Sequence, residues 1–590
     1  MSSRRFGASG RAPHQQRGLL LVALALLISA CGPLADLSGG ELAGEVDSDD
    51  EPAAESPLIP TERTVRLPPP VEGLPPAVPA NRASLITDLA DLVEQFVVKA
   101  PEVTWGIMVT DAYGREVYSI DPDAPVLPAS TLKVVTAAGA LVTFGAQAGL
   151  PTHLEATAAP RAGRLVGDLV LVGGGDPALA TEQFSRWVYP IRPVTRIEDL
   201  ADAVVDAGIG IVDGDIIGFA PGSHGPPLAQ GWPQRYLSEF DARYAAGLTV
   251  DAGLMTVITW PDELETDSQH DANDVGGPAL GLPPREGEPS QDSSALEDGS
   301  RLLVEPLDIT VEHAVDPVAQ AAVEFLRVLT ERGVEVTGTA RSGLAPVTSV
   351  RLATLEGTAI RDLVQFALER SDNHMADGLF RAVGMTWTGE SSWTGGAHAA
   401  REVMRLLDVD PDGAIFADGS GLSRDDRLTA RQLVDVDRVM TSGPLGGEWQ
   451  SAMAVMGRTG TLRQRLVGTI ADGRFFGKTG SLRDAMSISG TVMAAPGPRG
   501  PTMPEQRLEE FDDGGESRVA GEGVATEREG ERFHVAVIAN DVVGADRIVA
   551  RRLMDELILI LAAHVEQCEV DRLPPQPADD MQIGELVIAC

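Results

Sequence analysis

Three short segments of this chain hold residue types that can do chemistry together: Ser130-Thr131-Leu132-Lys133, Ser371-Asp372-Asn373 and Lys478-Thr479-Gly480-Ser481. The first places an amine three residues after a hydroxyl, and on a helix that spacing brings both side chains to one face. A serine hydroxyl is a poor nucleophile at neutral pH and needs a base beside it. Lys133 can be that base for Ser130 if burial or a nearby cation lowers its pKa, and Lys478 is the candidate cation. Ser371 and Asn373, two apart in a loop, can face one cleft. Ser371 can then relay a proton between nucleophile, Lys133 and leaving amine. The Asn373 amide can hold Lys133 through its oxygen and a substrate carbonyl through its nitrogen. Asp372 is expected to point away and cap the next helix. Lys478 and Thr479 can attract a carboxylate, and Gly480 admits a closely approaching substrate backbone. The N–H of Ser481 can join that of Ser130 in an oxyanion hole. Together these groups are what acylation of a serine by an amide carbonyl requires. Singly each segment says little, because Ser-Asp-Asn also starts ordinary helices and Lys-Thr-Gly also makes turns.

The elements around the three segments suit that use. Leu85, Leu89, Leu92, Val93 and Phe96 recur at helical spacing, so an amphipathic helix is expected from about Arg82. Val103 to Asp111 and Glu116 to Asp121 read as strands joined by a turn at Ala112-Tyr113-Gly114. Ser130 follows Pro128-Ala129 and is expected to open a helix over Thr131 to Phe144, because Ser is a good helix-start residue. Ser371 follows a helix ending near Arg370. Lys478 sits where an edge strand from Arg474 to Ser481 would run, and Arg483 to Ala494 and Phe533 to Ala539 read as further strands. Asp546 to Ala563 reads as a last helix packed on that sheet. Between them, residues 151 to 349 hold short strands such as Leu165 to Val172 and Ile209 to Phe219 broken by Gly-rich turns, which reads as a β-rich insertion. No internal repeat stands out. Residues 265 to 300 and 496 to 532 are charged and poor in large apolar groups, as flexible excursions are.

The chain has 590 residues, with 87 Asp+Glu against 47 Lys+Arg, for a formal net charge of -40. Phosphate backbones need basic surface, so this balance argues against a nucleic-acid groove. The N-terminus reads as an export signal: Arg4, Arg5, Arg11 and Arg17, then an apolar run from Gly18 to Ile28 too short for a comfortable membrane span. Ile28-Ser29-Ala30-Cys31 follows, and small residues before a Cys fit a lipoprotein processing site that would leave Cys31 acylated as a membrane anchor, the alternative being an ordinary secretory peptide cut after Ala30. Residues 32 to 82 are acidic and Pro-rich, as an extended tether is. Of the three Cys, the remaining pair Cys568 and Cys590 is expected to form a disulfide outside the cytoplasm. The nine His are scattered without metal-ligand spacing, so no metal and no cofactor is expected.

With its three motifs in this order, the chain resembles the D-alanyl-D-alanine carboxypeptidase/endopeptidase family of low-molecular-mass penicillin-binding proteins, peptidase family S13, over roughly residues 83 to 565. Gly167-Asp168-Leu169 through Gly175-Asp176-Pro177, Asp418-Gly419-Ser420-Gly421-Leu422-Ser423 and Gly460-Thr461-Leu462 add to the likeness. The resemblance implies an α+β, β-lactamase/transpeptidase-like fold: an antiparallel sheet flanked by helices, a helical lobe and a large insertion between the first two motifs. The catalytic part would comprise 83–150 and 350–565, the insertion 151–349 and the tail 566–590. The resemblance further implies Ser130 as acyl-ester nucleophile, Lys133 as base, Ser371 and Asn373 in the second motif and Lys478 in the third. The implied substrate is the D-Ala-D-Ala end of peptidoglycan stem peptides, with cross-link cleavage as a second outcome and β-lactams as acylating mimics. The third motif closes on Ser481 where the family usually has Thr. A serine β-lactamase would share the motifs, but no Glu-x-x-Leu-Asn segment follows Asn373 to hold a deacylating water. An inactive peptidoglycan-binding lipoprotein is the remaining reading, and the intact motifs speak against it. The oligomeric state is not legible.

Overall fold

The computed structural model describes residues 82–238, 242–259, 308–494, 531–573 and 585–590. The export signal with Cys31, the tether up to residue 81, the 265–300 stretch and nearly all of 496–532 lie outside the described residues.

A six-stranded antiparallel sheet forms the centre, in the order Ala454–Val455, Phe475–Ser481, Ala485–Met493, Arg532–Asn540, Thr104–Asp111, Glu116–Ile120. Its inner strands are buried on both faces, so they read as near-continuous apolar runs, and the strand period of two sends neighbours to opposite sides. Ile107, Val109, Val535 and Val537 pack in one core with Leu85, Leu89, Leu92, Val93 and Phe96 of the helix Arg82–Lys99 and with the C-terminal helix Asp546–Val565. Met108, Ala536 and Ile538 pack in a second core on the other side. That side carries the helical lobe: Lys133–Phe144 runs through its middle, surrounded by Ile360–Glu369, Asn373–Thr388, Trp393–Leu406 and Ala430–Ser442. From Lys133 to Val142 every residue of the central helix is buried, so its lysine is drawn into a dry environment by the packing of its neighbours.

Residues between Leu154 and Leu355 build a core of their own. The first and last strands of this region, Thr152–Ala156 and Val350–Leu355, pair antiparallel with Thr152 opposite Leu355, so a long excursion leaves and returns at one place. The region holds helices as well as the expected strands: Glu198–Asp206 and Pro317–Glu331 pack into that core. It also contains a repeat that the sequence reading did not find. Arg164–Leu165 with Leu169–Val172, Ile211–Val212 with Ile216–Phe219, and Glu335–Val336 with Ala340–Ser342 are three bent units stacked in parallel register. Each bends at a glycine: Gly167, Gly214 and Gly338. A Cβ on Gly214 would lie 2.3 Å from the Gly167 carbonyl oxygen, and one on Gly338 would lie 2.2 Å from that of Gly214. The stack continues in side chains, with the Asp215 N–H donating to Asp168 Oδ1 at 2.8 Å and the Thr339 N–H to Asp215 Oδ1 at 2.9 Å. Two-residue strands and a three-residue corner are too little pattern to stand out in sequence.

At the C-terminus Glu569–Arg572 and Leu586–Ala589 pair as a ribbon, and Cys568 is joined to Cys590 by a disulfide. Among the described residues no helix is long and apolar enough to cross a membrane.

Candidate active site

Ser130 does not open the α-helix, contrary to the sequence expectation. It lies in a 3-10 turn, Ala129–Leu132, and the α-helix begins at Lys133. The turn is entered through Ala129 in the left-handed region, at φ 50°, a conformation that costs an alanine about 1 kcal/mol or more. Surrounding contacts impose it. Thr131 Oγ1 donates to the Pro128 carbonyl at 2.7 Å, and Ser487 Oγ from the neighbouring strand donates to the same oxygen at 2.6 Å. Gly480 presses on the turn, since a Cβ there would lie 3.0 Å from the Ser130 nitrogen and 2.2 Å from Ser487 Oγ. Gly421 does the same from the other side, where a Cβ would meet the Ala129 carbonyl oxygen at 1.9 Å.

The first two motifs meet on Lys133. Its Nζ donates to Ser130 Oγ at 3.1 Å, to Asn373 Oδ1 at 2.7 Å and to the Ser420 carbonyl at 2.6 Å. Burial pushes its pKa down to about 8, against the pull of Asp377, Asp418, Asp372 and Asp426, which favour the charged form. Of the two causes the sequence left open, burial or the Lys478 cation, burial is the larger. The second and third motifs meet on Lys478, whose Nζ donates to Ser371 Oγ at 2.8 Å and to the Thr479 carbonyl at 2.7 Å. Lys478 is fully buried, and burial together with Lys133 holds its pKa well below the usual lysine range. Its amine thus points inward at Ser371, while the outward positions of the strand are Thr479 and Ser481. Thr479 Oγ1 donates to Thr461 Oγ1 at 2.9 Å. On its outer side the strand pairs at Phe476 and Gly477, with the Met456 N–H donating to the Phe475 carbonyl at 2.9 Å, and among the described residues no strand pairs there from Lys478 to Ser481.

Asp372 caps the helix Asn373–Thr388, accepting from the Met375 N–H at 2.8 Å, as expected. Its other oxygen accepts from the Tyr189 hydroxyl at 3.0 Å. Next to Asn373, His374 is buried with neither ring nitrogen hydrogen-bonded, and burial pushes it down to about 3, so it is a neutral side chain and no competitor for the role of base.

The sequence reading missed the acids beneath Lys133. Asp377, four residues after Asn373, accepts from the Gly419 N–H at 3.0 Å. Asp418 accepts from the N–H groups of Ser420, Gly421 and Ser423 and from Trp232 Nε1 at 2.6 Å. Asp426 accepts from the Ala417 N–H at 2.7 Å. These bonds shape the 417–423 loop so that the Ser420 carbonyl faces Lys133 and the Gly419 carbonyl accepts from Thr136 Oγ1 at 2.7 Å. Burial and the Asp418 charge raise Asp377 well above the usual carboxylate range, and the same two causes raise Asp426. Three aspartates in two loop-and-helix starts look like ordinary caps in sequence; only burial distinguishes them.

This arrangement, a serine hydroxyl on a buried amine at the junction of an antiparallel sheet and a helical lobe, is the fold of penicillin-binding proteins. The solved structure of penicillin binding protein 4 (dacB) from Haemophilus influenzae superposes with a TM-score of 0.58 at 19% identity, covering 80% of this chain and 99% of that one. The chain belongs to the D-Ala-D-Ala carboxypeptidase 3 (S13) family, whose model matches residues 88–558. It is 28% identical over 464 residues to a D-alanyl-D-alanine carboxypeptidase of Actinomadura sp. (strain R39), covering 74% of this chain and 83% of that protein. It is 26% identical over 444 residues to the carboxypeptidase DacB of Mycolicibacterium smegmatis, covering 72% of this chain and 82% of that protein.

Proposed function

We propose that this protein is a serine-type D-Ala-D-Ala carboxypeptidase acting on peptidoglycan stem peptides outside the cytoplasm. The observation that carries the reading is the 3.1 Å contact between Ser130 Oγ and the buried, pKa-lowered amine of Lys133. Lys133 in its neutral form takes the Ser130 proton as Oγ attacks the carbonyl carbon of the penultimate D-Ala. The carbonyl oxygen becomes an oxyanion facing the N–H groups of Ser130 and Ser481. Collapse breaks the peptide C–N bond. The proton passes from Lys133 through Ser371 to the leaving nitrogen, and free D-Ala departs. Water then attacks the Ser130 ester, giving up its proton to the same relay as Ser130 is regenerated. Asn373 holds Lys133 through Oδ1, which leaves its amide nitrogen for the substrate carbonyl. When the leaving nitrogen belongs to a cross-link instead of terminal D-Ala, the same steps amount to endopeptidase activity. A β-lactam, with a strained amide, enters at the acylation step.

Incubation with fluorescent penicillin, beside Ser130→Ala, tests the reading by mass spectrometry. Stable label on Ser130 and loss of D-Ala from a stem peptide support it. Rapid label loss with penicillin consumed would make the protein a β-lactamase, and absence of label would make it a wall-binding protein without turnover. We further read Cys31 as the acylated N-terminus of a lipoprotein anchored to the membrane. Cys31→Ala should then move the protein from the membrane fraction to the soluble one.

A further inference from the structure

The substrate of a carboxypeptidase ends in a carboxylate, and the buried Lys478 leaves that group without an outward-facing cation on the strand Phe475–Ser481. Thr479 and Ser481 lie two residues apart on the more exposed face of this strand, Thr479 half-buried with its hydroxyl donating to Thr461 Oγ1 and Ser481 exposed. Arg547 stands at the end of that row. It is the second residue of the helix Asp546–Val565. Its Nη2 donates to Ser481 Oγ at 2.8 Å, and its Nη1 donates to the carbonyls of Leu482 at 2.7 Å and Arg483 at 2.8 Å. These contacts occupy three of the five guanidinium donors and fix its plane, leaving two donors over. Among the described residues no carboxylate stands within ion-pair distance of Arg547, in a chain with a formal net charge of -40.

We propose that Arg547 is a substrate-binding residue: with the Ser481 hydroxyl, its guanidinium receives the C-terminal carboxylate and sets the preference for a free acid over a blocked end. The inference rests on the carboxypeptidase reading above and adds a residue outside the three motifs. A serine hydroxyl accepting from an arginine is oriented with its own hydrogen free to donate to the carboxylate.

The bland role for Arg547 is a clip on the hairpin after Ser481, so the test must separate charge recognition from folding. Acylation rates of the full chain, Arg547→Ala and Arg547→Lys are measured with benzylpenicillin and with its methyl ester, which lacks the carboxylate. Arg547→Ala should slow the acid about 10- to 100-fold, the range of a lost charge-assisted hydrogen bond, and leave the ester rate unchanged. Arg547→Lys should recover part of the acid rate. With a D-Ala-D-Ala peptide, kcat/KM should fall mainly through KM. Equal slowing of acid and ester would show a clip alone and overturn the proposal, as would unchanged rates with both. A wild-type protein that labels with neither compound would remove the carboxypeptidase reading itself, and this inference with it.

Discussion

At the scale of the residue, the decisive group is Lys133, a buried amine that touches a hydroxyl, an amide oxygen and a backbone carbonyl. All three contacts can accept a hydrogen bond, so they orient the amine without supplying a fixed anion. In the proposed mechanism Lys133 acts as a neutral base, so acylation should increase as pH rises through about 8 in a plot of penicillin acylation rate against pH. Lys133→Ala should leave binding but stop acylation, which stopped-flow labelling would register as loss of the covalent step. Among the four aspartates that act on Lys133, Asp377 has the largest effect. Its negative charge favours the charged amine, while burial and Asp418 resist that charge, so its removal reports how much of it Lys133 feels. Asp377→Asn keeps an oxygen for the Gly419 N–H and should move the rising limb to lower pH. A variant that lost rate without moving the limb would assign Asp377 to the shape of the loop alone. Ser130 and Lys133 were legible because i, i+3 spacing is a local property. Asp377 was not, because an acid in the first turns of a helix ordinarily faces solvent.

At the scale of the element, the periodic pieces came through. The helix Arg82–Lys99 buries the five residues whose spacing proposed it, and the strands of the main sheet lie where alternating or continuous apolar runs put them. The 3-10 turn at Ser130 was missed because the left-handed Ala129 is a product of distant contacts. Gly480, Gly421 and Ser487 approach it from other parts of the chain, and nothing in Pro128-Ala129-Ser130 announces them. The stacked glycine corners were missed for a related reason: each is short, and their likeness is in how they pack. Gly338→Ala places a methyl against the Gly214 carbonyl and should destabilise the protein by about 1–3 kcal/mol, as overpacking does. Thermal melting would measure it. The penicillin acylation rate well below the melting temperature should stay at the wild-type value, because the corners lie in a core apart from the sheet.

At the scale of the molecule, the strands Thr152–Ala156 and Val350–Leu355 let some two hundred residues intervene between the first two motifs without separating Lys133 from Asn373. The intervening region also reaches the site, since Tyr189 donates to Asp372 in the second motif. The tail is tied by Cys568–Cys590 across 22 positions, and Arg572 pairs with Glu556 of the last helix at 2.6 Å. Closing a loop of that size is worth about 3 kcal/mol on chain-entropy grounds. Reduction should therefore raise amide exchange in the ribbon Glu569–Arg572 with Leu586–Ala589, while penicillin labelling at Ser130 stays unchanged. Hydrogen exchange read by mass spectrometry would show both.

The sequence by itself determined the reactive groups, their order and the periodic helices and strands around them, because side-chain identity and periodicity are local. Only the tertiary structure decided which amine is buried, which acids lie beneath it, which backbone is bent at Ser130 and which arginine reaches Ser481. Each of these depends on burial or on atoms brought together from hundreds of residues apart, and pKa and strain follow from that environment and not from residue type.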